Sequence, residues 1–252
     1  MKAEKISSGN KDFDLWLNGG YEPEIITCLY GPFGSGKTNF CLMATASVLS
    51  TQKKVVYVDT ESSFSLERLK QILLSKSQER DILKNLIIIK PTSFEEQIDA
   101  LEKILTLIRN QEIKLVIVDS IGMLYRLELG LMREEVREEV KNGQNKNEKL
   151  REQEKIRRVN LALARQLRLL SEIARKNCIP VIVTNQIYQG LDGSLHMVGG
   201  DLLKYWSKCL IQLENLGEKK KAVLIKHRSL GIREFNFRIT NNGIEKIKKF
   251  LF

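Results

Sequence analysis

Eight consecutive residues carry the plainest chemistry in this chain. Gly31, Pro32, Phe33, Gly34, Ser35, Gly36, Lys37 and Thr38 fit the spacing G-x-x-x-x-G-K-[ST]. Glycines let such a loop curl until its backbone N–H groups point inward, forming a nest for phosphate oxygens. The helix read from Asn39 onward adds the positive end of its dipole, and Asn39 is counted with the loop among the expected nucleotide contacts. Lys37 can then reach β- and γ-phosphates, and the Thr38 hydroxyl can ligate Mg²⁺. The alternative is a Gly-rich turn arising by chance. The flanks argue against it: residues 25–30 read as a short buried strand and 39–50 as a helix, which is the setting a phosphate loop needs.

Three further residues stand just past apolar runs. Asp119 follows Leu115, Val116, Ile117 and Val118, and a carboxylate there can hold Mg²⁺ opposite Thr38. Helix capping is its other ordinary use. Glu61, two residues beyond a second run at 54–59, can orient and deprotonate a water attacking phosphorus. An exposed Glu near a helix start is the plainer reading. Gln186, beyond the run 179–184, can touch a γ-phosphate and report it to the loop that follows. A turn-forming Asn-Gln pair is the competing account.

Elements that could position these groups follow from periodicity. Residues 54–59, 86–89, 115–119 and 179–184 read as strands, alternating with helices at 64–75, 79–84, 95–109 and a long one resuming near 156. Such alternation predicts a parallel sheet, whose ligands bind at the carboxyl ends of its strands. Residues 209–214, 222–226 and 234–239 read as three antiparallel strands with turns at Gly217 and Gly231. Residues 187–200 are Gly-rich and loop-like. Residues 126–158 hold ten basic and eight acidic side chains around a polar centre at 141–147, which predicts a loop or a pair of exposed helical arms, disordered in part.

Composition narrows the setting. The chain of 252 residues is 42% hydrophobic, enough for a full core. It has no apolar run of about 18 residues and a charged beginning, so neither a membrane span nor a signal peptide is expected, and the location reads as cytoplasmic. Cys28, Cys41, Cys178 and Cys209 lack metal-ligand spacing and read as reduced core residues. The net charge of +10 is uneven, with ten Lys/Arg against three acidic residues in 217–252. A basic end suits nucleic acid, and a solvated lysine-rich surface explains it equally well.

Taken together, residues 31–38, 58–61, 115–120 and 183–186 resemble, in order and spacing, the core of the RecA-type recombinases. Ser7, Ser8 and Gly9, followed by Asp14, Leu17, Gly19 and Gly20, are similar to the segment preceding that core in archaeal and eukaryotic members. The resemblance covers nearly the whole chain and is nearest to the short archaeal paralogues without an N-terminal domain. It implies one RecA-like P-loop ATPase domain over 1–252, α/β in class, with a charged insertion at about 128–150. Its central sheet would be mostly parallel, with helices on both faces and antiparallel C-terminal strands.

The resemblance further implies ATP and Mg²⁺ as ligands, with Lys37 and Thr38 as phosphate and Mg²⁺ contacts, Asp119 as the second-motif carboxylate and Glu61 as the catalytic one. Arg68 matches a position that packs on adenine. Arg126 and Arg133 fall in the place of the first DNA-binding loop; Tyr188, His196, Gly199 and Gly200 fall in that of the second. Lys226 and Arg228 match a pair that reaches a neighbouring subunit's phosphates. Departures accompany the likeness. Residues 1–12 hold no convincing counterpart of the motif that links recombinase subunits, and Arg228-Ser229-Leu230-Gly231 stands where the family has an Asp-Ser-Pro cap.

The expectation is therefore an accessory protein of homologous recombination and DNA repair, a weak ATP hydrolase that does not itself exchange strands. Its expected partners are single-stranded or branched DNA, the recombinase RadA or a junction nuclease, and further copies of itself. A nucleotide-dependent protein-binding module and an oligomeric signalling ATPase on the same core remain the alternatives.

Overall fold

In the computed structural model, residues 4–73, 83–141, 148–190 and 195–247 are described. The expected helix at 79–84 and the polar centre at 141–147 fall largely outside them. Four apolar runs become parallel strands whose apolar stretches are buried on both faces: β1 (Ile26–Gly31), β2 (Lys54–Asp59), β4 (Ile113–Asp119) and the first half of β5 (Val181–Gln189). Strand β3 (Leu86–Ile89) lies beside β2 and is only partly covered. The sheet order is β10 (Gly243–Lys246), β9 (Arg233–Thr240), β8 (Lys219–Lys226), β7 (Cys209–Leu216), β1, β5, β4, β2, β3.

Parallel register aligns the tips that carry chemistry. Gly31 pairs with Gln186 and Asp59 with Asp119, so one edge of the sheet collects all three strand ends beside the phosphate loop. Strand β7 runs parallel to β1, and β8, β9 and β10 follow by antiparallel pairing. The C-terminal region thus holds four strands where three were expected, the first of them parallel to its central neighbour.

Helices cover both faces. Helix α2 (Lys37–Leu49) is apolar nearly all round and correspondingly buried nearly all round. It packs with α1 (Lys11–Trp16) and α3 (Leu66–Leu73) in a core that includes Phe13, Phe40, Phe235 and Phe237. The opposite core is built by α4 (Phe94–Asn110), α5 (Met123–Lys141), α6 (Glu148–Asn177) and α7 (Gly200–Trp206). Helix α6 buries Val159, Leu163, Leu167, Leu170 and Ala174, which step by three or four along one face.

Most of 126–158 is therefore helical, an antiparallel α5–α6 pair. Its ion pairs cross between the helices (Arg133–Glu152, Arg151–Glu139, Lys155–Glu135) instead of running i,i+4 along one of them. Residues 187–200 are not a plain loop either. β5 continues to Gln189 and pairs antiparallel with β6 (Leu195–Met197), setting Tyr188 opposite His196. Cys28, Cys41 and Cys209 are buried as expected, whereas Cys178 is exposed at a left-handed turn following α6.

A glycine fixes how the chain enters this fold. Gly20 has φ +103, and a Cβ there would lie 2.3 Å from the Ile6 carbonyl oxygen, beside the Ile6–Tyr21 bridge. Gly20→Ala is expected to cost about 2–4 kcal/mol through backbone strain and displacement of that bridge, lowering Tm by about 5–12 °C. Thermal unfolding followed by circular dichroism measures it; an unchanged Tm contradicts the packing described.

Candidate nucleotide and nucleic-acid site

Helix α2 begins without a side-chain cap. Gly36, at its N-cap, is left-handed with φ +97, as is Gly34 with φ +70. The first-turn N–H groups are therefore left for an outside acceptor, and the loop forms an amide nest. Gly31 is needed for a different reason: a Cβ there would meet the Leu213 carbonyl oxygen of β7 at 2.2 Å. Ser35 Oγ is buried with no partner among the described residues.

Lys37 is nearly buried, 9% exposed, and folds back on its own loop. Its Nζ donates to the carbonyls of Gly31 at 3.0 Å and Pro32 at 2.9 Å. Burial pushes its pKa below the ordinary lysine value, while Glu61 and Asp119 pull the other way. A desolvated ammonium on two neutral carbonyls gains by exchanging them for phosphate oxygens.

The metal-facing groups form a chain of oxygens. Thr38 Oγ1 donates to Ser63 Oγ at 3.4 Å, and Ser63 Oγ donates to Asp119 Oδ2 at 3.2 Å. Asp119 also accepts from Tyr57 OH at 2.7 Å and from the Thr184 hydroxyl. Burial, then the Asp119 carboxylate, pushes the Tyr57 phenol far up, so it stays a donor. A hydroxyl and a buried carboxylate are hard oxygen ligands of the kind Mg²⁺ takes, with the rest of its shell left to water and phosphate. With the orphaned Ser35 hydroxyl and the amide nest, these residues fit a Mg²⁺–nucleotide.

Glu61 is aimed by two neighbours. Ser120 Oγ donates to its Oε1, and Gln186 Nε2 lies 3.0 Å from both carboxylate oxygens. Thr60 anchors the same turn, its Oγ1 donating to the Ser120 carbonyl at 2.7 Å. The expected base and the expected phosphate sensor thus meet directly. Asp59 plays a local part, accepting from the backbone N–H groups of Ser63 and Phe64.

Two expected nucleotide contacts are otherwise engaged. Asn39 Oδ1 accepts from Arg68 Nη2 at 2.7 Å, and Asn39 Nδ2 donates to the Gly243 carbonyl. What Asn39 can still offer a phosphate is its backbone. Arg68 donates also to the carbonyls of Thr240 and Asn241, so it ties α3 to the β9–β10 turn. Phe33 is 93% exposed on the outside of the loop.

The nucleic-acid candidates gather elsewhere. The Arg126 guanidinium sits 5.9 Å from the Tyr188 ring centre, and Tyr188 lies 5.7 Å from His196 at an interplanar angle of 33°. Gly199, with φ +58, heads α7; a Cβ there would meet Leu163 at 2.8 Å, so packing alone explains this glycine. Gly200 opens the helix itself. Arg133 is drawn into its pair with Glu152.

Lys226 and Arg228 lie at the far end of the strands. Lys226 pairs with Leu210 near the start of β7, whereas the phosphate loop leaves the other end of β1. Six strand residues span about 20 Å, beyond what either side chain bridges. Lys226 Nζ donates to the Lys204 carbonyl at 2.6 Å, and Arg228 donates to Glu22 Oε2 at 3.1 Å. Burial would raise the Glu22 pKa, but its bonds to Lys5 and Arg228 outweigh that and lower it.

Among the described basic residues of the C-terminal region, Lys221, Arg228, Arg238 and Lys246 pair with carboxylates. Sequence reasoning missed Tyr57, Ser63 and Thr184 and took Ser120 only as a polar strand tip; these hydroxyls hold the two carboxylates. The signal was faint: each is a polar residue beside or within a buried apolar run.

A family model described as Rad51 matches residues 2–247. A protein of Methanococcus maripaludis (strain C7 / ATCC BAA-1331), named DNA repair and recombination protein RadB, is 42% identical over 234 residues, covering 92% of this chain and 97% of that protein. The Methanocaldococcus jannaschii protein of the same name is 38% identical over 231 residues, covering 92% and 97%. That of Methanoculleus marisnigri is 34% identical over 252 residues, covering 98% and 100%.

Proposed function

The chain belongs to the Rad51 family, in its archaeal RadB branch, and on that premise we propose that it binds ATP–Mg²⁺ and DNA as an accessory factor of homologous recombination and repair, turning ATP over slowly. The observation that carries the reading is the meeting of Lys37, the Thr38–Ser63–Asp119 chain and the Glu61–Gln186 pair at one sheet edge. Lys37 exchanges the Gly31 and Pro32 carbonyls for phosphate oxygens. Thr38 and Asp119 hold Mg²⁺, which when bound neutralises charge on the phosphate oxygens. Glu61, fixed by Ser120 and Gln186, takes the proton of the attacking water. Gln186 then has a choice between Glu61 and the γ-phosphate, which makes it a reporter to the β5–β6 hairpin.

Slow turnover has a physical reason. An arginine contacting the transferring phosphoryl group is worth about 10³–10⁵ in rate in such enzymes. Lys226 and Arg228 sit at the opposite strand ends of the same chain, so they serve only a neighbouring copy. In the absence of assembly, Glu61 and Lys37 act without them. Turnover is therefore expected to be slow with or without single-stranded DNA; strong stimulation by DNA would identify an active recombinase instead.

Binding of DNA follows from the basic groups beside Tyr188. With about four phosphate contacts to a single strand, affinity is expected to fall about 50-fold between 50 and 200 mM salt. Fluorescence anisotropy with a labelled oligonucleotide checks this, and no affinity at low salt overturns the reading. The partner proteins proposed are RadA or a junction nuclease.

A further inference from the structure

Beside the β5–β6 hairpin is a cavity of about 470 Å³, walled by Tyr30 of β1, Tyr125 of α5, Asn160 of α6, Gln212 of β7, and Tyr188 with His196. Its size is that of a small-ligand site. Two phenol–amide pairs stand in its wall, with Asp201 and Lys204 also lining it. Tyr30 OH lies 3.3 Å from Gln212 Oε1, and Tyr125 OH donates to Asn160 Oδ1 at 2.6 Å. Burial pushes Tyr30 up to about 12 and raises Tyr125, so both phenols stay protonated donors. Each amide oxygen is thereby occupied, while the NH₂ groups of Gln212 and Asn160 have no partner among the described residues. The mouth carries Tyr188, 42% exposed, with Arg126 over its ring.

We propose that this cavity receives one unstacked nucleobase of the bound strand, stacked at Tyr188 and read by the amide donors of Gln212 and Asn160. Two donor amides in an aromatic-lined pocket match a base edge bearing carbonyl acceptors, as thymine does with O2 and O4. Everting a base is cheapest where the strand is already single or mispaired. Lys204 in the cavity wall and Arg126 over the Tyr188 ring are the cations available to the flanking phosphates. Tyr30 immediately precedes Gly31, so an occupied cavity abuts the phosphate loop through one peptide bond.

The proposal rests on the DNA-binding reading and is tested separately from it. Full-length protein is titrated with an oligo-dT strand and with the same strand carrying abasic sites. A preference of about tenfold for the base-bearing strand is expected, reduced to about twofold or less in Gln212→Leu with Asn160→Leu. Equal affinity of the wild type for both strands overturns the cavity while leaving DNA binding intact; no affinity for either overturns both. Should the double variant not fold, 4-thiothymidine crosslinking on the wild type decides. Adducts on Tyr30 or Tyr125 support the proposal, and adducts confined to residues outside the cavity overturn it.

Discussion

Lys37→Ala is expected to weaken binding of a non-hydrolysable ATP analogue by about 100-fold while leaving the free protein about as stable as before. The first half follows from charge. A charge-assisted hydrogen bond is worth about 1.5–3 kcal/mol, and removing the ammonium takes away the side-chain cation placed to reach the terminal phosphates. The second half follows from the resting geometry. In the free protein Lys37 is 9% exposed and its ammonium sits on two backbone carbonyls, with burial lowering its pKa. Its desolvation cost offsets what those bonds contribute, so Tm should move by no more than about 4 °C. Calorimetric titration and thermal unfolding on the same preparation separate the two effects. A variant that unfolds, or one that binds the analogue normally, contradicts the role assigned.

Glu61→Gln is expected to reduce ATP turnover by about 10²–10⁴-fold with analogue affinity changed less than about threefold. The amide is nearly isosteric and keeps an oxygen for Ser120 Oγ and Gln186 Nε2, but it cannot take a proton from water. Single-turnover kinetics isolate the chemical step. Undiminished hydrolysis would mean that another group activates the water. A parallel Gln186→Ala variant should lose less turnover, since Gln186 orients the base and does not itself accept the proton.

The phosphate loop and the three strand tips were legible because two local signals agreed there. Residues 31–38 have their spacing between an apolar run and a helix, and 115–118 and 181–183 are continuous apolar runs, the mark of strands buried on both faces. That continuity also concealed what the structure adds. In a strand with no polar face, nothing in the spacing says that Tyr57 points at Asp119, or that Thr184 does so from the next strand over. Those contacts are matters of register, set by the pairing of Asp59 with Asp119 across β2 and β4.

The β5–β6 hairpin was hidden differently. Gly190 and Gly193 with polar neighbours read as a loop, and the three residues of β6 are too few to show alternation. Arg68 was placed by its resemblance to an adenine contact. Its tie to the β9–β10 turn joins residues 172 apart in sequence and that to Asn39 residues 29 apart, which no local pattern announces. Charge was misleading for a similar reason. The basic excess in 217–252 is real, but strand pairing sets Lys221 beside Glu214 and Arg238 beside Glu245. Of the two readings of 126–158, a loop or a pair of helical arms, the described residues form the second and set their charges between the helices.

The most direct measurement is a crystal structure of the protein with an ATP analogue and Mg²⁺. Lys37 Nζ is predicted to leave the Gly31 and Pro32 carbonyls for the terminal phosphates, with Thr38 and Asp119 on the metal and Gln186 drawn off Glu61. A structure in which nucleotide binds elsewhere, or in which Lys37 keeps both carbonyls while nucleotide is present, would contradict it.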